Sequence, residues 1–313
     1  MPIARRSLLK GGAGLAVPAG AQAQSGRPLR IVVPYPPGGG ADLLARALAA
    51  EIGGRGGRAV IVENRPGATG TIGAAAAARA APDGETVLQA DAAPMSILPL
   101  ANRLPYGPAD FEPVARLATS PVLLAARADG PLRSLADVIR AARADPGGVT
   151  YATFGILSHF HLAMEQFSGL AGVELTHVPF QGTAPGVTAV LAGQVALLTA
   201  PPGTLQDQPG LRPIASMTAA PVPGFAGLPT FRAEGIDLVY EGWRGLFAPR
   251  GTPADRIAAL DGAVAAAFTD PAFLAAVRRL GETPAFLGAA DFARFWEADR
   301  AVVTGLLPRL PKG

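Results

Sequence analysis

A short apolar strand that breaks into a proline- and glycine-rich turn and then continues as a helix constrains this chain more than any other stretch. It reads Ile31-Val32-Val33-Pro34-Tyr35-Pro36-Pro37-Gly38-Gly39-Gly40-Ala41-Asp42-Leu43-Leu44-Ala45-Arg46. The β-branched run ending at Val33 suits a buried parallel strand. The prolines stop it, since each lacks a ladder donor and fixes φ. The glycines that follow let a ligand approach the main chain. From Ala41 the period is helical, with Leu44, Ala47, Leu48 and Ile52 on one face. A strand, a glycine turn and a helix N-terminus together favour anions, because free N–H groups and the positive dipole end meet there. The motif lacks the Gly-x-Gly-x-x-Gly spacing and the Lys-Ser/Thr pair of nucleotide sites. A plain connecting turn is the alternative, and the motif by itself leaves it open.

The device recurs. Residues 59–63 form a second strand, 64–73 a glycine turn and 74–81 an alanine-rich helix; residues 86–91 form a third strand that leaves through Ala92-Ala93-Pro94 for a helical turn. This β-α-β-α-β order predicts a parallel sheet with helices on both faces, and ligands off the carboxyl ends of its strands. Residues 121–126 read as a strand crossing between domains, and 134–144 as a helix capped by Ser134. Residues 150–165 repeat the opening logic, with Ser158 as N-cap and Phe160, Ala163, Met164 and Phe167 along one helix face. Strands follow at 174–178, 194–198 and 211–216, and prolines and glycines over 221–229 turn the chain back. A strand at 245–248, a helix opened by Thr252-Pro253, and helices over 271–280 and 290–306 complete it. A chain that leaves its first domain and returns has two linkers and therefore a hinged cleft.

Composition narrows the chemistry. Arg5, Arg6 and Lys10 account for the whole formal charge of +3, so the remainder is neutral and nucleic acid is not indicated. Arg5-Arg6-Ser7-Leu8-Leu9-Lys10, a weakly apolar stretch over 11–21 and Ala21-Gln22-Ala23 form an export signal over 1–23, cleaved after Ala23. Its route is twin-arginine or Sec. No later run reaches the roughly 18 apolar residues of a membrane span. Cysteine is absent, which excludes disulfides and thiolate chemistry. His159 and His161 lie about 200° apart on a helix and cannot share a metal ion. His161 shares a face with Glu165, which reads as a solvated or core-edge contact, and His177 reads as structural. His159, near a helix N-terminus, is within reach of a cleft ligand. There is no Gly-x-Ser-x-Gly elbow and no metal motif. Asp42 in a first helical turn suits capping more than catalysis, and Arg65 is an exposed arginine able to clamp an anion.

These segments resemble a known family, the periplasmic solute receptors of tripartite tricarboxylate transporters, or Bug-type binding proteins. The matching motifs are Val33 to Asp42 with Arg46, Glu63-Asn64-Arg65-Pro66-Gly67-Ala68-Thr69-Gly70-Thr71-Ile72-Gly73, Phe111-Glu112-Pro113-Val114, Val178-Pro179-Phe180-Gln181-Gly182, Gly193-Gln194-Val195, Leu228-Pro229-Thr230, Glu234-Gly235 and Trp243-Arg244-Gly245-Leu246-Phe247-Ala248-Pro249. The resemblance implies a type II periplasmic-binding-protein fold: two α/β lobes around a hinged ligand cleft, with lobe I at 27–123 and 223–313 and lobe II at 124–222. It implies a small organic carboxylate held largely by backbone amides without a salt bridge. Ligand contacts would come from Tyr35, Pro37, Gly38, Gly39, Gly40, Ala41, Asp42 and Ala93 of lobe I. Lobe II would contribute Thr153, Gly155, Ser158, His159, Gly182 and Thr183. It further implies a monomer without cofactor or metal that delivers its ligand to membrane permease subunits of the transporter.

Two departures from the family pattern are visible. Phe154, Ile156 and Leu157 stand where the second loop is usually rich in Gly and Ser, and Ala196-Leu197-Leu198-Thr199 replaces a segment that usually begins with aspartate. Both point to a ligand with one carboxylate and an apolar or aromatic body. A ligand sensor for a membrane signalling protein would use the same fold. An exported enzyme would need a nucleophile, metal or acid–base pair that the sequence does not offer.

Overall fold

A computed structural model describes residues 27–180, 183–206, 208–306 and 308. The predicted leader at 1–23 and Gly182 lie outside the described residues.

The opening motif folds as expected. Strand β1 (Leu29–Val33) leads through the turn into helix α1 (Gly40–Gly56), and β2 (Val60–Asn64), α2 (Thr71–Ala78) and β3 (Thr86–Asp91) follow. A single π-helical turn over Ala93–Ile97 then passes into the short helix α3 (Leu98–Ala101). The next strand, β4 (Phe111–Pro121), is eleven residues long, and after Val122 the chain enters β5 (Leu123–Arg127). The second lobe continues with α4 (Leu135–Ala144), β6 (Thr150–Thr153), α5 (His159–Ala171), β7 (Thr176–Pro179), α6 (Thr183–Leu191), β8 (Leu197–Ala200), α7 (Pro202–Gln206) and β9 (Leu211–Ser216). The chain returns with β10 (Glu241–Pro249), α8 (Ala254–Ala267), α9 (Pro271–Arg279), β11 (Thr283–Gly288) and α10 (Ala289–Leu306).

Two sheets result, one of order β11-β4-β10-β3-β1-β2 and the other β7-β6-β8-β5-β9. The expected parallel pairing holds for β1 with β2 and β3, and for β6 with β7 and β8. Elsewhere it is corrected: β10 runs antiparallel to β3 and β4, β11 antiparallel to β4, and β5 antiparallel to β8 and β9. The reason is topological. A returning strand enters the first sheet from the opposite end, with no crossover helix to reverse it.

Side-chain alternation along the strands divides the core. Ile31 and Val33 of β1 face a cluster with Leu44, Leu48, Val264 and Val277 from α1, α8 and α9. Val32 faces the other side, where Trp243, Phe247, Phe292 and Trp296 pack beneath α10. The Phe247 and Trp296 ring centres are 4.8 Å apart, and Trp296 donates its indole N–H to the Met95 carbonyl. This cluster continues without a break into lobe II through Phe231, Leu238 and Tyr240 to Met164 and Phe167. The linkers lie side by side here. Met217 N–H donates to the Val122 carbonyl at 2.9 Å, and Tyr240 N–H to the Met217 carbonyl at 2.7 Å.

Candidate functional site

The turn after β1 is braced by Asp42. Its carboxylate is 1% exposed and accepts from Gly38 N–H, Arg46 Nε and Asn64 Nδ2, each at 2.9 Å. Asn64 also donates to the Tyr35 carbonyl at 3.1 Å. The Arg46 bond, with help from Gly38 and Asn64, holds the Asp42 carboxyl down at about 2 against its burial. Asp42 therefore shapes the turn, while the exposed Pro37, Gly38 and Gly39 and the half-buried Gly40 form its open rim. The first-turn N–H groups of α1, from Gly40 and the buried Ala41, have no carbonyl within the helix to meet.

Behind the turn stands a charged group that sequence reasoning passed over. Asp91, at the end of β3, accepts from the Tyr35 hydroxyl at 2.8 Å and from Ala93 N–H at 3.0 Å. Its second oxygen accepts from Arg244 Nη1 at 3.3 Å, and Arg244 Nε donates to Glu282. Burial lowers the Arg244 pKa, but Glu282 and Asp91 outweigh it and raise it overall, so the guanidinium is charged. Burial pushes the Glu282 carboxyl above the usual carboxylate range, against the pull of Arg244. Burial first, and Asp91 second, raise the Tyr35 phenol. One signal for this group was available. A lone arginine in the apolar strand Glu241–Pro249 demands a carboxylate partner if the strand is central.

Lobe II presents its own turn. Thr153 is fully buried and its side chain serves the fold: its hydroxyl donates to the Gly155 carbonyl at 3.1 Å and pairs with His177 Nε2 at 2.7 Å. Gly155 has φ of +127°, and Leu157, at φ +58°, holds a left-handed conformation that costs a branched side chain energy. His161 offsets this by accepting the Leu157 N–H at its Nδ1, 3.2 Å away. Ser158 caps α5 as expected, its hydroxyl accepting from His161 N–H. His161 and Glu165 make the expected core-edge contact, Nε2 lying 3.6 Å from Oε1 with Glu165 half-buried. His161 itself is 1% exposed and stacks on His177 with ring centres 3.9 Å apart. Thr183 opens α6.

His159 spans the lobes. Its ring lies over Gly242 of β10, where a β-carbon would come within 2.7 Å of Cδ2 and Nε2. Its Nε2 is buried with no partner among the described residues. Burial lowers it to about 4, with Asp91 and Arg244 acting on it in opposite senses. A second seam lies at Gly281, φ +74°, where a β-carbon would stand 3.0 Å from Gly203 N of lobe II. The structure thus sets the first turn and His159 beside the same Asp91–Arg244 group. The second departure from the family pattern has a different place: Leu197, Leu198 and Thr199 are fully buried inside lobe II. Of the first departure, Ile156 is 54% exposed, while Phe154 and Leu157 are half-buried and pack against the core. Among the described residues no group of three metal-ligating side chains occurs.

The histidines give a stability prediction. Burial lowers His161 to about 3 and His177 to about 4, against about 6.5 in an unfolded chain. Between these values the unfolded chain holds more protons, so stability is full above about pH 6.5 and declines as pH falls toward 4. Melting temperatures of the ligand-free protein should be level from pH 8 to about 6.5 and drop steadily below. Asp42 adds its own loss only below about pH 4.

A family model described as the tripartite tricarboxylate transporter family receptor matches residues 44–306. The chain belongs to this family. Protein BugT of Bordetella pertussis is 33% identical over 294 residues, spanning 92% of this chain and 90% of that protein. Among solved structures, adipate-bound Rpa4515 of R. palustris is 32% identical with a TM-score of 0.79, covering 90% of this chain and 97% of that one. MatC of Rhodopseudomonas palustris with bound malate is 28% identical with a TM-score of 0.75, covering 90% and 99%. The periplasmic binding protein BugD is 29% identical with a TM-score of 0.73, covering 90% and 97%. As a member of this receptor family the chain is a solute-binding protein with a two-lobed α/β fold.

Proposed function

We propose that this receptor captures a small organic carboxylate outside the cytoplasm, after export through its 1–23 leader, and hands it to the membrane subunits of a tripartite tricarboxylate-type transporter. The observation that carries the reading is the pair of strand–turn–helix N-termini, at α1 in lobe I and α5 in lobe II. One ligand carboxylate sits against the first-turn N–H groups of α1, rimmed by Gly38, Gly39 and Gly40. Residues Gly155 to His159 close over it from lobe II. The adipate and malate bound by two solved relatives support the carboxylate class. Phe154, Ile156 and Leu157 favour a ligand with an apolar or aromatic body. Residues 27–123 with 223–313, and residues 124–222, move as the two jaws, the ligand touching both in the closed state. The chain acts as a monomeric binding protein and performs no chemistry on its cargo.

A thermal-shift screen of the chain from Gln24 onward tests this. A carboxylate at a hundred times its dissociation constant should raise the melting temperature by roughly 5 °C. Benzoate and medium-chain fatty acids should exceed citrate. Shifts from uncharged compounds, with none from any carboxylate, would overturn the reading.

A further inference from the structure

We propose that the Arg244–Glu282 pair on the cleft floor is a selectivity gate that refuses ligands carrying a second carboxylate. The inference rests on the carboxylate-receptor reading above and adds which carboxylates the site takes.

Arg244 lies beside the first ligand turn: a β-carbon on Gly40 would be 3.9 Å from its Nη2 and 3.9 Å from Glu282 Oε1. A free guanidinium in that place would hold a second ligand carboxylate through two parallel hydrogen bonds. Here the fork is already occupied. Nε donates to Glu282 and Nη1 to Asp91, so each two-donor edge of the guanidinium has lost one member. Nη2 is the one guanidinium nitrogen with no partner among the described residues, and two carboxylates on one cation leave the floor with excess negative charge.

Glu282 is built in. It is 6% exposed, and its Oε2 is buried with no partner among the described residues. The adjoining Gly281 meets Gly203 of lobe II, so closing the jaws packs Glu282 into the seam. A ligand whose far end is a methyl group or ring leaves this arrangement intact. A second carboxylate would face Asp91 and Glu282 where water is scarce and like charges repel most strongly. The gate thus selects for one carboxylate by denying the other a cation.

Hexanoate and adipate share a six-carbon chain and differ in the second carboxylate, so they isolate the effect. Binding of each to the chain from Gln24 onward would be measured by calorimetry at pH 8. The native protein should favour hexanoate by about tenfold or more. In Glu282→Gln the ratio should move toward adipate by about tenfold, with hexanoate affinity changed less than about threefold. Asp91→Asn removes the other carboxylate and should move the ratio the same way, which keeps the test usable if one variant does not fold. A native preference for adipate, or an unchanged ratio in the folded variants, overturns the gate and leaves the receptor reading standing. If neither acid binds any of these proteins, the gate falls, while the receptor reading is decided by the wider carboxylate screen.

Discussion

Replacing Gly39 with tryptophan should weaken carboxylate binding by roughly a hundredfold or more while the free protein melts within about 2 °C of the native one. Gly39 caps α1 in an extended conformation, φ −77° and ψ 165°, that any residue adopts. A β-carbon there meets Pro36 O at 3.7 Å, an ordinary contact, and the position is exposed. Nothing in the fold resists the substitution. An indole at this point does cover the first-turn N–H groups of α1, where the ligand carboxylate is placed. Calorimetry with any acid found in the thermal screen reads the first quantity, and a melting curve without ligand reads the second. Unchanged affinity would move the ligand away from this turn altogether.

Gly73→Val should act in the opposite way, on stability, with a loss of about 3 kcal/mol. A β-carbon at Gly73 would lie 2.7 Å from Pro34 Cβ and 2.8 Å from the Arg65 carbonyl oxygen. Two backbone segments would have to part, and one of them carries the start of the ligand turn. The melting temperature should fall by roughly 6–10 °C. Gly54→Ala is the matched control, since nothing lies within 4 Å of its β-carbon and helix α1 gains from the exchange. A Gly73→Val protein as stable as the control would mean that α2 does not press on Pro34 as closely as described.

The parts of this molecule written locally were legible. Strand β1, the turn and α1 follow from β-branching, proline, glycine and a helical repeat within one short stretch, and the β6–α5 turn repeats them. Ser134 and Ser158 were identified as caps because capping is decided within a few residues. What was missed is non-local. Strand β4 contains Pro113 and shows no clean alternation, since the sheet buries both its faces. Strand β11 begins at Thr283-Pro284 and pairs with residues far upstream, Thr119 and Ala118. Asp91, Arg244 and Glu282 come from three distant segments, 153 residues separating Asp91 from Arg244 and 38 separating Arg244 from Glu282. No periodicity links such residues, and the topology alone brings them together.

The position of β10, between β3 and β4 in the first sheet, also governs how this protein is made. Lobe II is contiguous in the chain, so a ribosome finishes it while the first sheet still lacks its middle strand. At about 5–20 residues per second, the 153 residues between Asp91 and Arg244 take roughly 8–30 s to emerge. From the moment β4 is made, β3 and β4 each present an unpaired edge for the rest of that interval, the kind of surface that recruits other chains. The nascent protein is therefore at its most adhesive late in synthesis, and truncations that end before Glu241 should be aggregation-prone even though every residue of lobe II is present.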